Sequence, residues 1–354
     1  VKRTRLPAAL SLAAALAALV LFAGCGSSGT PAPAHPFGDP PAPAAGIRAW
    51  AAGETGVLLV TADGGASWTP QKFFLPERAV DVAFPDAETG WIATDAGTVL
   101  TTVNGGARWS VAGKIKLPVK ALAAVDSRTA WIVAAATDAT SGPGASAVFR
   151  TTDGGKTWLR KGFGSALLAD VAFTDARHGV LVALDRIWST RDGGRTWRLR
   201  KQFPMTVLTG AAVGDSRHAW VAGWGTQEGT PVVWSSSDDG TTWRRLPVDV
   251  PAAKPGALQT RQIACAGATS LWITCDAGVL ASSDAGATWK LQKVAAGLPQ
   301  AIAAADAQHA LATTEGQAIL ATADGGATWP AFGEDGYLKF PLLAVAALKA
   351  EPAQ

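Results

Sequence analysis

From residue 47 to residue 348 the chain is built of short apolar runs, each closed off by Gly, Asp or Pro. Residues 79–84 (AVDVAF), 91–94 (WIAT) and 99–102 (VLTT) form one such series. The series returns at 168–173 (LADVAF), 180–183 (VLVA) and 187–190 (IWST), and again at 208–213 (LTGAAV) with 220–222 (WVA). Runs this short, rich in β-branched and aromatic residues and bounded by turn formers, predict strands and not helices. After every third run stands an octet of the form Ser/Thr-x-Asp-x-Gly-x-(Thr/Ser)-Trp, and then a fourth, more polar run.

The octet occurs seven times: 61–68 (TADGGASW), 102–109 (TVNGGARW), 151–158 (TTDGGKTW), 190–197 (TRDGGRTW), 236–243 (SSDDGTTW), 282–289 (SSDAGATW) and 322–329 (TADGGATW). Its acidic positions, Asp63, Asn104, Asp153, Asp192, Asp238, Asp284 and Asp324, are 41, 49, 39, 46, 46 and 40 residues apart. A period of that length marks a repeat architecture. Each octet reads as a hairpin tip. The Asp hydrogen-bonds its own backbone, the fifth-position Gly supplies a positive φ, and the Trp offers an apolar face for packing. Four strands per period make one propeller blade, so the chain is predicted to be all-β: a seven-bladed β-propeller with four antiparallel strands per blade.

The ends of the repeat predict how the ring closes. The first unit begins at residues 47–50 (IRAW), which match a second strand, so its innermost strand is missing. Beyond the last octet, residues 342–348 (LLAVAAL) resemble an innermost strand. The expectation is that this C-terminal segment completes the first blade and removes exposed edges. The propeller then spans 47–348, followed by a tail at 349–354.

The N-terminus carries a different signal. Lys2, Arg3 and Arg5 precede an apolar run to Ala23, which reads as an export signal. The run ends in 21–25 (LFAGC), similar to a bacterial lipoprotein cleavage box with Phe22 where Leu is usual. The expectation is a signal peptide at 1–24, an acylated Cys25, and a Pro/Ala/Gly-rich tether at 25–46. An ordinary secretory signal is the alternative. The protein would be exported and lipid-anchored to a bacterial membrane, facing the periplasm or the cell exterior. Removing the three signal residues from the 31 Lys and Arg leaves 28, against 28 Asp and Glu. The balanced charge gives no reason to expect nucleic acid as a partner.

Candidate chemistry is largely absorbed by the repeat. His178, His218 and His309 occupy one turn slot in three units, on different blades, so no metal site is expected. Asn104 replaces Asp in one octet, which keeps turn chemistry and loses charge; the octet aspartates are therefore structural, with no catalytic residue and no cofactor among them. Trp50, Trp91, Trp131, Trp220 and Trp272 share a second-strand slot. Trp224, in the loop 223–229 (GWGTQEG), falls outside the repeat and is a binding candidate. Cys265 and Cys275 lie on adjacent strands of the sixth blade. They form a candidate disulfide or remain as two unpaired thiols, depending on register.

The octet is the Asp-box, or BNR repeat, found in sialidases, sortilin-type receptors, xyloglucan-cleaving enzymes and photosystem II assembly factors. The longer units at 82–109 (VAFPDAETGWIATDAGTVLTTVNGGARW) and 170–197 (DVAFTDARHGVLVALDRIWSTRDGGRTW) resemble the repeat of the photosystem II assembly/stability factor family along their whole length. Sialidase chemistry is disfavoured, since it uses a tyrosine nucleophile and Tyr337 is the single tyrosine. The resemblance implies a non-catalytic scaffold that binds partner proteins, a membrane-complex subunit among them, as a monomer. The alternative is a carbohydrate-binding or glycoside-hydrolase-like surface lipoprotein using the rim around Trp224.

Outer strands and blade links carry 17 Lys and Arg against four acidic residues. Arg198, Arg200, Arg244 and Arg245, on neighbouring blades, are the candidate partner-binding set for an acidic protein segment or anionic lipid heads. Lys and Arg on outer strands also discourage edge-to-edge aggregation without any partner.

Overall fold

In the computed structural model the residues described are 46–71, 77–135, 146–226, 229–250, 258–333 and 341–349. Their strands sort into seven antiparallel sheets of four. The second blade shows the plan: an inner strand Ala79–Ala83, a second strand Thr89–Thr94, a third Thr98–Val103 and an outer strand Ser110–Lys114. Adjacent strands pair in the order of the sequence. Successive inner strands also touch one another in an unbroken cycle, from Leu342–Lys349 through the other six and back. The seven-bladed propeller is thus as predicted.

Closure follows the expectation as well. Leu342–Lys349 pairs antiparallel with Ile47–Gly53, with Ile47 opposite Lys349 and Ala52 opposite Ala344. The first blade therefore takes its inner strand from the C-terminal end and its other three from the N-terminal end.

Burial peaks at the second strand of each sheet and falls away both toward the inner strand and toward the outer one. Second strands such as Ala130–Ala135 are buried at every residue, because both faces meet a neighbouring blade. The outer strand Leu159–Gly162 of the same blade is exposed throughout. The core is accordingly divided among the seams between blades. The first such cluster joins Trp50, Leu58 and Val60 of blade 1 to Val82, Phe84 and Ile92 of blade 2. Each fully buried aliphatic side chain there contributes about 1.5–3 kcal/mol over its exposed state.

Several expectations lie outside the described residues: the export signal, Cys25, the tether up to residue 45, Tyr337 and residues 350–354. The same holds for most of the 137–147 loop and for residues 251–257 of the link between blades 5 and 6.

Candidate functional site

The boxes are closed hydrogen-bond units. In the first, Thr61 Oγ1 donates to Asp63 Oδ1 at 2.6 Å and accepts the Gly65 N–H at 3.0 Å. Asp63 accepts the Ser67 N–H at 3.0 Å on Oδ1 and the Ser67 hydroxyl on Oδ2. The same set recurs around Asp153, Asp192, Asp238, Asp284 and Asp324. Asn104 keeps the bonds to Thr102 and to the Arg108 N–H, but Arg108 stands where the other boxes have a hydroxyl donor. Hydrogen bonds from Thr157 and Thr288 hold Asp153 and Asp284 down to about 2. At Asp63, Asp192, Asp238 and Asp324 burial opposes ionisation, yet the hydroxyl and amide donors outweigh it and keep the carboxyl low. Such carboxylates stay ionised and saturated with donors, unsuited to proton transfer. The fifth-position Gly65 has φ 97°, and the fourth position is also left-handed, even at Asp239 (60°) and Ala285 (59°).

The histidines close turns. His178, His218 and His309 each set Nδ1 2.7–2.8 Å from the Asp three residues earlier, at Asp175, Asp215 and Asp306. Among the described residues no cluster of His, Cys, Asp and Glu could hold a metal ion.

Two features escaped the sequence reading. The first is that boxes bolt neighbouring blades together. The indole N–H groups of Trp50, Trp131 and Trp220 donate to Gly105, Gly193 and Ala285, the fourth box residues of the next blades, at 3.0, 2.9 and 3.3 Å. At the first two seams a ring from the next blade stacks on the Trp: Phe84 on Trp50 at 3.6 Å and Phe173 on Trp131 at 3.5 Å. Gly90 and Gly179 make room for those rings; a Cβ at either would stand 2.3 or 2.5 Å from the phenyl carbons. The runs ending in Phe84 and Phe173 and the second-strand tryptophans were visible in the sequence, but their meeting across a seam was not.

The second is a set of clasps between inner strands. Asp81 accepts the Leu122 N–H of the next blade at 2.8 Å and its neighbour Val82 N–H at 2.8 Å. Asp170 does the same with Ala211 and Val171, and Gln262 Oε1 accepts the Ile302 N–H. Every inner strand carries a register shift at this slot. Burial pushes Asp81 up to about 7, with Asp170 adding to it, and pushes Asp170 up to about 6.

The candidate arginines lie on the outer strands of successive blades. Arg198–Gln202 and Arg244–Leu246 are the outer strands of blades 4 and 5, and Lys201 links them by donating to Trp243 O at 3.3 Å while resting 3.9 Å from the Trp234 ring. Arg198, Arg244 and Arg245 are exposed. Arg200 is half-buried, donates from Nε to Ser189 Oγ at 2.8 Å, and is shifted down by burial and by Arg191 and Arg198. Trp224 is elsewhere. It lies in the second strand Ala219–Gly225 and not in a loop, because the long inner strand Thr206–Val213 supplies Val207 as its partner, with Pro231 on the other side. Its end of the blade is the one opposite the box, so it shares no site with Arg198 and Arg244, which directly follow box tryptophans.

Of the two alternatives for the cysteines, the register goes with unpaired thiols. Cys265 faces Leu271 and Cys275 faces Thr260, several residues apart along the same strand pair, and both thiols are free. The register shift between Thr260 and Ile263 helps set this offset. Burial pushes the two thiols up to about 12 and about 11, which keeps them protonated.

Two family models match the chain. Residues 44–162 match the photosynthesis system II assembly factor YCF48 and residues 212–348 match the DUF6242 beta propeller domain. The chain is a BNR-repeat propeller similar to photosystem II assembly factors. A structure of YCF48 bound to D1 peptide is 16% identical, with a TM-score of 0.54 over 84% of this chain and 86% of that one. YCF48 from Cyanidioschyzon merolae is 19% identical, with a TM-score of 0.54 over 73% of this chain and 86% of that one. The GH74 xyloglucanase from Xanthomonas campestris is 19% identical, with a TM-score of 0.56 over 81% of this chain, which spans 46% of that enzyme. At these identities the likeness is one of fold. No curated protein matches.

Proposed function

We propose that the protein is a non-catalytic scaffold that binds partner proteins as an assembly factor does. It works as a monomer outside the cytoplasm, held at the membrane by a lipidated Cys25. The reading is carried by the basic ground formed where Arg198, Arg244 and Arg245 stand exposed on neighbouring outer strands. That ground lies on a propeller similar to assembly factors, one of which has been solved with a peptide bound. Arg200 lies half-buried among them and adds its charge. Such a surface attracts an acidic segment over several ångströms and does so less strongly as salt rises.

The test is capture of membrane-complex subunits by the tagged protein. Replacing Arg198, Arg244 and Arg245 with Glu should abolish capture, and in the unaltered protein capture should fall steadily with ionic strength. Capture that survives the triple replacement would count against the reading. Mass spectrometry of the mature N-terminus tests the anchor separately, since an unmodified residue there rules out lipidation. The fold likeness to a xyloglucanase and the placement of Trp224 at the rim opposite the boxes favour a second reading, a carbohydrate-binding surface protein. Glycan-array binding or glycoside turnover that disappears in Trp224→Ala would support it.

A further inference from the structure

Three seams are built alike, with a second-strand Trp donating to the fourth box residue of the next blade. Arginine fills two of them. At the seam of blades 1 and 2, Arg48, two residues before Trp50, lies 5.5 Å from the Trp50 ring and donates from Nη1 to Ala87 O at 3.2 Å. At the seam of blades 3 and 4, Arg150 is the cross-strand partner of Trp131. It lies against the box, so that a Cβ on Gly193 would stand 3.2 Å from its Nη2. At the seam of blades 5 and 6 the two corresponding positions are His218, two residues before Trp220, and Ser235, its cross-strand partner. Cys265 stands in the slot of the stacked Phe84 and Phe173. With both plugs absent, a cavity of about 450 Å³ opens, lined among others by His218, Ser235, Ser237, Arg244 and Ala285.

The adjoining seam indicates what fits. Between blades 4 and 5 the fourth box position is Asp239, whose carboxylate accepts from Arg191 Nε at 2.5 Å and lies 3.9 Å from His178 Nε2. One blade on, His218 takes the place of His178 and Ala285 the place of Asp239. The histidine is retained, while the carboxylate and the arginine that holds it are gone, Ser237 standing in the slot of Arg191. Asp215 engages Nδ1 of His218 and leaves Nε2 uncommitted. Among the described residues Arg244 has no ion-pair partner, and no Asp or Glu lines the cavity. Hydroxyls of Ser235 and Ser237 complete a wall rich in donors.

We infer that this cavity binds a small carboxylate-bearing ligand of sugar-acid size, its carboxylate standing where Asp239 stands at the neighbouring seam. Arg244 is the charged donor, the Nε2 edge of His218 faces the same carboxylate, and the two serines meet hydroxyls on the body of the ligand. The volume lies within the range of small-molecule sites. The site is separate from the protein-docking reading, although Arg244 belongs to both.

Isothermal titration of the whole chain with D-glucuronate tests it, with D-glucose and inorganic phosphate as comparisons. Glucuronate should bind and glucose should not. Arg244→Gln should weaken binding about tenfold or more, as expected for losing a charge-assisted contact. Ala285→Asp should abolish it by supplying the missing carboxylate from within; the fold tolerates Asp there, since Asp239 and Ala285 share one backbone conformation. Ser235→Arg, which rebuilds the plug of blade 3, should do the same. Equal binding of glucose, binding of phosphate without glucuronate, no binding at all, or affinity unchanged in both Ala285→Asp and Ser235→Arg would each overturn the assignment. Partner capture unaffected by Ala285→Asp would show the two surfaces to be independent.

Discussion

Replacing Asp81 with Asn should flatten the dependence of stability on pH. Burial raises the Asp81 carboxyl from its ordinary 3.8 to about 7. A folded-state value above the unfolded one means stability is fully present at low pH and is lost as pH rises through the folded value. Between pH 5 and pH 8 the loss comes to about 3 kcal/mol for Asp81, from the titration of one group with those two values. Asp170, raised to about 6, adds about 1 kcal/mol by the same reckoning. The side-chain amide oxygen introduced by Asp81→Asn can still accept the Leu122 N–H that Asp81 Oδ2 now takes; the bond from Val82 N–H to Oδ1 is lost at both pH values, and the amide does not titrate. For a propeller of this size 3 kcal/mol corresponds to about 5 °C in Tm. Melting of wild type, Asp81→Asn and the double variant with Asp170→Asn at pH 5 and pH 8 is the assay. The wild-type Tm should fall between the two by about 5 °C more than that of the single variant, and the double variant should be flatter still. The box carboxylates and the turn histidines are common to all three proteins and cancel in the comparison. A single variant whose Tm falls as far as the wild type's would show that Asp81 is not held neutral by burial.

Gly90→Ala should destabilise by about 1–3 kcal/mol through overpacking, because its Cβ would stand 2.3 Å from Phe84; denaturant melts check it, and Phe84→Leu in the same chain should restore part of the loss. Trp131→Phe should cost about 1–2 kcal/mol for the bond to Gly193 O. Trp272→Phe should cost less, because its indole N–H has no hydrogen-bond partner among the described residues. The Asp153 carboxyl, held down to about 2 by Thr157, contributes stability above its ordinary pKa that is lost as pH falls toward 2. Carbon-detected NMR titration should find it still ionised at pH 3, and a midpoint at the ordinary value of about 4 would contradict the box geometry.

The architecture was legible because turn chemistry is local. Asp63, Gly65 and Ser67 act within five residues of one another, so seven copies announce seven hairpins, and the count of strands before each announces a blade. Closure was legible because a repeat that starts one strand late must end one strand late. What crosses a seam was not legible. Asp81 alternates along its strand like any outward residue, and only the inner-strand bulge together with the neighbouring Leu122 N–H reveals a clasp. The cavity at Trp220 is made by absences, Ser235 and His218 in place of arginines, which mean something only once cross-strand partners are known. The cysteines were undecidable for the same reason, register. Trp224 was misplaced because an inner strand two residues longer than that of blade 3 extended the pairing past the repeat's usual length.

The pairing of Ile47–Gly53 with Leu342–Lys349 has a mechanical side. Because the strands are antiparallel and Ile47 lies opposite Lys349, both chain ends leave the clasp at the same end. A pull between the termini therefore loads its hydrogen bonds one pair at a time, from Ile47 inward, and never all together in shear. A pull on the N-terminus resisted by a partner gripping the blades would be spread along the sheet of blade 1, whose other strands follow Ile47 in the chain. A single-molecule experiment that moves the attachment point from the C-terminus to the outer strand of blade 4 should raise the force needed to open the molecule.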